Sequence, residues 1–496
     1  MTGKQVSKDE ARDLFKGNQF KLELIDEIQD DNVGIFYQGD FYDLCKGGHV
    51  VSTEKLTHFK LMGISGAYWR ADRKGIALQR ISGVAFETKE ELDAHLQLLE
   101  DLKKYDHRRL GKDLDLFSFS DVAPGAAFFH PKGTIIHNKL IEFLRSLQEG
   151  IYDEIKTPMI MHESLWKQSG HYAFYKNNMF FTQLDETTYC VRPMNCPGGA
   201  LVYKTRPRSY RELPIRLAEF GYDHRCELSG VLHGLFRVRA FTMDDAHIFC
   251  TLDQLEDEVL GAIEIADMLY KKFKFSNIRI GLSTRPEKSM GTDQDWEVST
   301  QALKNALDRR DLEYTIQEGE GAFYGPKIEF LLTDTMGREW QCGTVQIDFN
   351  LPINFDIEYI DSDQSRKRPA VIHRALYGSL ERFIGIILEH YKGHLPFWIA
   401  PIQIRVLTIT DEQHEYAQNL VKTLASHGLR VELDTSGEKV NAQIRNAQLE
   451  KIPWMLIVGK KEQANNTVTL RHSDGKQEFD LTLDQLLAQA DRQVHE

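Results

Sequence analysis

The stretch FGYDHRCELSGVLHGLFRVRAFTMDDAHIF, Phe220 to Phe249, decides how this chain is read. It reads as two strands joined by a loop, an arrangement that brings Arg225, Glu227 and Arg237 close to Phe241. Guanidinium forks match phosphate and carboxylate oxygens. A carboxylate such as Glu227 accepts from an exocyclic amine, and an aromatic or guanidinium plane stacks on a base. Two arginines, an acceptor and an aromatic face are chemically sufficient to grip a nucleoside triphosphate. Any one of these arginines alone would read as a solvated strand edge; the set says more.

A second set lies downstream, HRALYGSLERFIGIILEHY, His373 to Tyr391. Small residues Ala375, Gly378 and Ser379 permit close backbone approach before a long apolar helix, and Arg382 sits early in that helix. Upstream, KLIEFLRSLQEGIYDEIKTPMI (Lys139 to Ile160) is amphipathic, with Pro158 expected to close a strand after a helix. No P-loop of the form GxxxxGK followed by Ser or Thr and no convincing GxGxxG is present, which removes the commonest rival nucleotide sites.

Together these three stretches resemble motifs 1, 2 and 3 of the class II aminoacyl-tRNA synthetases. The resemblance narrows with MNCPGG around Cys196, DDAHIF around His247, VIHRALYGSLERF around His373, GEGAFYGPKIEF and WQCGTVQIDF. These are similar to segments of the threonyl-tRNA synthetase family, and the likeness runs from about Gln38 to the C-terminus. It implies an α+β fold: an antiparallel-sheet catalytic core, an N-terminal remnant of the editing domain and a C-terminal α/β anticodon-binding domain.

The rest of the chain fits that division. At 496 residues roughly three domains are expected. A hydrophobic content of 42% and a charged content of 27% place the chain among globular proteins. No run of about 18 apolar residues exists, so no membrane span is expected. The polar start MTGKQVSKDEARDLFKG is no secretory signal. Six cysteines without a CxxC pair fit a reducing cytosol, so a cytoplasmic location is expected. A net charge of −13 argues mildly against nucleic-acid binding, although phosphate contacts need only a local basic surface. Residues 1–86 read as strands, the editing remnant. Leucines at helical spacing make 87–115 a helical connector. Residues 116–395 hold the three motifs. In 396–496 IQIRVLTI, LRVELD and PWMLIVG are strands alternating with helices, the first helix stopped by Gly428.

The resemblance also implies roles. Cys196, His247 and His373 would hold one zinc ion per chain, although their spacing alone gives almost no metal signal. Zinc in this family binds the amino and hydroxyl groups of threonine. Asp245 would accept from that hydroxyl, with Tyr324 and Gln346 lining the pocket. Arg225 would hold the α-phosphate and carboxylate, Glu227 the adenine amine and Phe241 the ring. Arg237 and Arg382 would bind the outer phosphates of ATP, Mg²⁺ sharing the load, with Gln341 near the ribose and Lys327 approaching the α-phosphate. His171 would assist transfer to tRNA, its plain alternative being a loop histidine. Arg445, Glu462 and Arg471 would read anticodon bases of tRNA(Thr), or simply be a charged face. A homodimer through motif 1 is implied.

Departures from the family pattern bear on editing above all. Cys45 and His49 match half of the editing site; the other half, an HxxxH pair upstream in the family, and the N-terminal ubiquitin-like domain are expected to be missing from this form. The HxxxH of His390 and His394 spans Gly393 and reads as chance. Gly48 stands for a usual proline, Gly199 for a histidine, Met243 for a glutamine and Gly437 for an asparagine. The chain is therefore expected to be a threonine–tRNA ligase that does not clear seryl-tRNA in cis. The alternatives are a synthetase-like RNA-binding or regulatory protein without turnover, and a ligase for proline or another amino acid.

Overall fold

The computed structural model describes residues 2–50, 52–72, 74–275 and 277–495. The chain divides into two compact units at Lys103/Lys104. The division falls inside the expected connector. Its helix Lys89–Lys104 goes almost wholly with the first unit, and its helix His107–Asp113 with the second.

In the first unit, strands Thr2–Ser7, Asn32–Gln38 and Phe41–Leu44 form an antiparallel sheet. Two helices, Lys8–Leu14 and Gln19–Glu27, fill the gap between its first two strands. They correct the expectation of strands alone over 1–86. Each is capped by a side chain that satisfies an early backbone N–H, Ser7 for one and Asn18 for the other. Val6, Ala11, Phe15, Ile25, Val33 and Ile35 make a small core. A separate antiparallel hairpin pairs His58–Tyr68 with Ala77–Phe86, as the alternation there predicts.

The second unit is built on an eight-stranded sheet. Its order is Tyr314–Gln317, Asn277–Ser283, Lys327–Thr333, Glu339–Asp348, Ala370–Ala375, Ala240–Cys250, Ile215–His224 and Asp153–Glu154. All pairings are antiparallel except those of the two edge strands. The edge strand Asp153–Glu154 ends short of Pro158, which therefore lies in the loop beyond it and does not close the strand. Helices Pro131–Gln148, Leu255–Lys272 and Leu380–His390 pack on one face in a single apolar core. Leu380–His390 is buried except at Arg382, and its Phe383, Ile384, Ile386, Ile387 and Leu388 join that core. Leu255–Lys272 carries Glu256, Asp257 and Glu258 in its first turn and Lys271 and Lys272 in its last, each sign matched to the helix dipole.

The opposite sheet face is free for chemistry because strand side chains alternate. In Ala240–Cys250, residues Phe241, Met243, Asp245 and His247 line a cavity, while Ala246, Ile248 and Cys250 turn inward and are buried. The last part of the unit is a five-stranded sheet in the order Val431–Leu433, Ile404–Thr408, Trp454–Val458, Val468–His472 and Gln477–Leu481. Its first three strands are parallel. The helix His414–Ser426 ends before Gly428, whose φ of +80° is the left-handed turn that glycine adopts without strain. The antiparallel pair Val468–His472 and Gln477–Leu481 and the helix Leu483–His495 extend this βαβαβ pattern.

Candidate active site

The cavity on the open face of the large sheet has a volume of about 600 Å³. Strand register builds its floor. His247 stands directly opposite His373, and His373 directly opposite Gln346. Cys196 arrives from elsewhere, as the first residue of the helix Cys196–Tyr203. One ligand atom from each of Cys196, His247 and His373 lies within 4.8 Å of the others, and all three residues are buried.

This donor set fits zinc. A thiolate and two imidazoles leave a fourth position open. His373 Nε2 is 3.0 Å from Asp348 Oδ2, which leaves its other nitrogen for a metal. Asp348 is itself held by the backbone N–H groups of Asn350 and Leu351. Burial works against a charge on His373, but Cys196 and Asp348 outweigh it and raise its pKa to about 10. Burial pushes the Cys196 thiol up. Burial, and then the charge of His373, hold His247 well below the usual imidazole range. A divalent cation at the same place would be met by the Cys196 thiolate and the two imidazoles.

Around this floor stand the remaining groups. Asp245 lies on the cavity wall, not in a surface turn; burial raises its pKa. One of its oxygens accepts from Asn195 Nδ2 at 2.7 Å. Tyr324 donates its hydroxyl proton to Gln346, and its ring centroid is 5.3 Å from that of His373. The Arg225 guanidinium lies 5.0 Å from the Phe241 ring centroid. Arg237 and Glu227 form an ion pair at 3.0 Å. Arg382 lies 5.9 Å from the Trp340 ring centroid. Its own backbone N–H is capped by Ser379, and the φ of +72° at Gly378 turns the chain into that helix. Gln341, on the same wall, donates to Glu329.

Two expected residues sit apart from the cavity wall. Lys327 stands opposite Gln346 in register but is ion-paired with Glu329 at 2.6 Å and does not line the cavity. His171 begins the helix His171–Tyr175 and is buried, so it is not a loop histidine. It lines a small adjoining cavity with Cys196, His373 and Asp348. Burial, aided by the charge of His373, lowers its pKa to about 4, so the ring is neutral at pH 7.

The other expected residues are placed as follows. Cys45 Sγ and His49 Nε2 are 2.9 Å apart in the first unit. In the last sheet Arg471 stands opposite Met455, and Thr469 opposite Ile457. Met455 and Ile457 pack against Ala447 and Ile444 of the helix Val440–Leu449. Arg471 therefore shares the sheet face that this helix covers, and Arg445 is exposed on the same helix. Glu462 accepts from Thr469 Oγ1 at 3.0 Å and caps the Gly459 N–H. Of the departing residues, Met243 lines the cavity, and a Cβ on Gly199 would meet His247 Nδ1 at 3.2 Å. Gly48 has a φ of +83°, which proline cannot adopt.

Several functional groups escaped the sequence reading. Asp348 and Asn195 support a metal ligand and Asp245. Asp244 accepts the backbone N–H groups of Leu376, Tyr377 and Gly378, tying the two central strands together beneath the cavity. Arg239 donates to the Glu227 carbonyl at 2.8 Å and so shapes the loop that presents Glu227. Asp348 alone had a signal, two residues beyond Gln346 on one strand.

Comparison with known proteins agrees with this architecture. Residues 175–391 match the tRNA synthetase class II core domain (G, H, P, S and T), and 399–492 match an anticodon binding domain. Residues 33–82 match the threonyl and alanyl tRNA synthetase second additional domain. Fold, cavity and matched domains define a class II aminoacyl-tRNA ligase. The threonine–tRNA ligase of Caldanaerobacter subterraneus subsp. tengcongensis is 53% identical over 94% of this chain and 73% of its own length. That of Desulforamulus reducens is 52% identical over 94% and 74%. The RNA binding domain of threonyl-tRNA synthetase from Cryptosporidium parvum Iowa II superposes with a TM-score of 0.76 at 44% identity. That match covers 78% of this chain and 98% of the other. The chain belongs to the threonine–tRNA ligase family, whose reaction is the aminoacylation of tRNA(Thr). Among the described residues no helix is long and apolar enough to cross a membrane.

Proposed function

We propose that this ligase selects L-threonine through one zinc ion per chain, held by Cys196, His247 and His373. The observation that supports it is the convergence of those three ligand atoms, backed by Asp348, at the floor of the cavity. A bound zinc would accept the amino and hydroxyl groups of the amino acid alongside its three protein ligands. The logic is one of rejection. Valine is nearly isosteric with threonine, and an apolar pocket would separate them poorly. A site that engages the hydroxyl rejects the analogue lacking it by roughly 10⁴–10⁵.

The chain's own residues do the rest. Asn195 holds one oxygen of Asp245 and leaves the other for the threonine hydroxyl. Tyr324 and Gln346 close the side of the pocket. Phe241 stacks on adenine, Glu227 accepts from its amine, and Gln341 lies near the ribose. Arg225 holds the α-phosphate and the threonine carboxylate, while Arg237 and Arg382 hold the outer phosphates together with Mg²⁺. A carboxylate oxygen attacks the α-phosphorus, and the bond from that phosphorus to the pyrophosphate oxygen breaks. The protein contributes positioning and charge neutralisation. Lys327 reaches the α-phosphate only by leaving Glu329. His171, neutral, assists proton movement when the terminal adenosine of tRNA takes the threonyl group.

The working division is 1–86 as editing remnant, 87–115 as connector, 116–395 as catalytic domain and 396–496 as anticodon reader through Arg445, Glu462 and Arg471. A cytoplasmic homodimer paired through motif 1 completes the reading. Metal analysis tests its core. About one zinc per chain is expected, lost on His373→Ala. A content near zero, or wild-type content in that variant, contradicts it.

A further inference from the structure

His107 is fully buried, far from the zinc triad in sequence, and every polar atom of its ring is engaged. Its Nε2 accepts the backbone N–H of Leu235 at 3.0 Å. Its Nδ1 is 2.6 Å from Glu389 Oε1, and its backbone N–H donates to the same oxygen at 2.8 Å. Nε2 must therefore be bare and Nδ1 must carry the proton, one fixed tautomer. Asp106, His107 and Glu389 also cluster closely enough to suggest a metal site. Both ring nitrogens are already committed, however, and Asp106 is held by Arg108 at 2.5 Å. The cluster is a polar fastening.

What it fastens is the loop between the two strands of the motif 2 hairpin. The turn His233–Arg237 is closed by the His233 N–H donating to the Arg237 carbonyl at 3.1 Å. Leu235 is fully buried beside His107, and the Phe236 ring centroid is 4.0 Å from that of His107. The turn and its socket are matched closely. Gly234 has a φ of +50°, and a Cβ there would come within 2.2 Å of His107 Nε2. A Cβ on Gly385 would come within 2.9 Å of the Phe236 ring. Gly385 and Glu389 both belong to the helix Leu380–His390, which also carries Arg382. Arg338 braces the far oxygen of Glu389 at 2.5 Å. His107 thus joins the turn that ends in Arg237 to the helix that carries Arg382 in its first turn, and both arginines line the cavity.

We propose that His107 is a positioning residue for ATP: by accepting the Leu235 amide and donating to Glu389 it sets Arg237 against Arg382. This rests on the reading above that the two arginines bind the outer phosphates. The socket's contacts run to the segments that carry Arg237 and Arg382 and to none of Cys196, His247 and His373, so its loosening should be felt by ATP and not by threonine.

The test is ATP–pyrophosphate exchange by the full chain, with KM measured separately for ATP and threonine and folding checked by thermal melting. In His107→Asn the amide can still donate to Glu389 but is too short to accept from Leu235. In His107→Gln the side-chain oxygen reaches the place of Nε2. Leaving the buried Leu235 N–H without an acceptor should raise KM for ATP about tenfold in His107→Asn. KM for threonine should stay within about twofold, and His107→Gln should recover most of the loss. On an Arg237→Ala background His107→Asn should add less than about twofold, because the two act through one group. Should Arg237→Ala alone leave KM for ATP unchanged while His107→Asn raises it, the role given to Arg237 fails and the positioning inference stands through Arg382. An unchanged KM for ATP in folded His107→Asn overturns it, as does an equal rise for both substrates without recovery in His107→Gln. Should His107→Asn not fold, Gly234→Ala reaches the same contact from the loop side. The same selective rise supports the inference, and an unchanged KM for ATP overturns it.

Discussion

Replacing Asp348 by Asn should weaken zinc binding by about 100-fold, the upper end of what loss of a partner behind a metal ligand costs. The hydrogen bonds explain why the upper end applies. Asp348 Oδ1 accepts two backbone N–H groups, from Asn350 at 2.6 Å and Leu351 at 3.1 Å. Oδ2 faces His373 Nε2 at 3.0 Å. In Asp348→Asn those two donors hold the remaining oxygen, so the amide nitrogen is turned towards His373. Nε2 must then accept rather than donate, which places the imidazole proton on the nitrogen the metal needs. A 100-fold loss corresponds to about 2.8 kcal/mol. The assay is competition for zinc with a chromophoric chelator at fixed pH, beside a thermal melt. KM for threonine should rise when zinc is limiting and recover when zinc is in excess. Zinc affinity within about twofold of wild type in a folded variant would show that Asp348 does not orient His373.

Three further outcomes are expected. Arg225→Ala should lower kcat/KM for amino-acid activation by about 2.7–4 kcal/mol of transition-state energy while the fold survives, measured by pyrophosphate exchange; near-normal exchange rules out its role. Arg471→Ala, at half-buried Arg471 in the last sheet, should weaken tRNA charging and leave pyrophosphate exchange with threonine intact; a joint fall of both refutes the separation of sites. This chain should also release serine from seryl-tRNA no faster than buffer does. Cys45 and His49 stand 2.9 Å apart, but among the described residues no third His, Cys, Asp or Glu ligand atom clusters with them. The site should still misactivate serine, because a missing methyl is worth only about 1–3 kcal/mol. Deacylation abolished by Cys45→Ala would mean the pair is a working editor.

The strands that hold the arginines were legible because their residues are local: Arg225 and Phe241 flank one hairpin, and alternation along Ala240–Cys250 assigns its faces. The metal triad was not legible from spacing. Its assembly depends on the register of His247 with His373 and on a helix start at Cys196, both products of non-local pairing. Only likeness of segments pointed to it. The helices Lys8–Leu14 and Gln19–Glu27 were missed because short, charged segments show too little apolar periodicity. Lys327 illustrates a different limit. Its strand is legible, but its ion pair with Glu329, two residues along the same face, outcompetes an approach to the cavity. His107 carries no signal at all, since its partners Leu235 and Glu389 lie in two distant segments.

Amino-acid-dependent ATP–pyrophosphate exchange, run with threonine, serine, valine and proline before and after zinc removal, bears most directly on the selection of threonine by a zinc-held hydroxyl. Strong exchange with threonine, weaker exchange with serine and none with valine or proline are expected, all lost with the metal and restored by zinc. Exchange with valine equal to that with threonine, exchange unaffected by zinc removal, or no exchange with any of the four would contradict it.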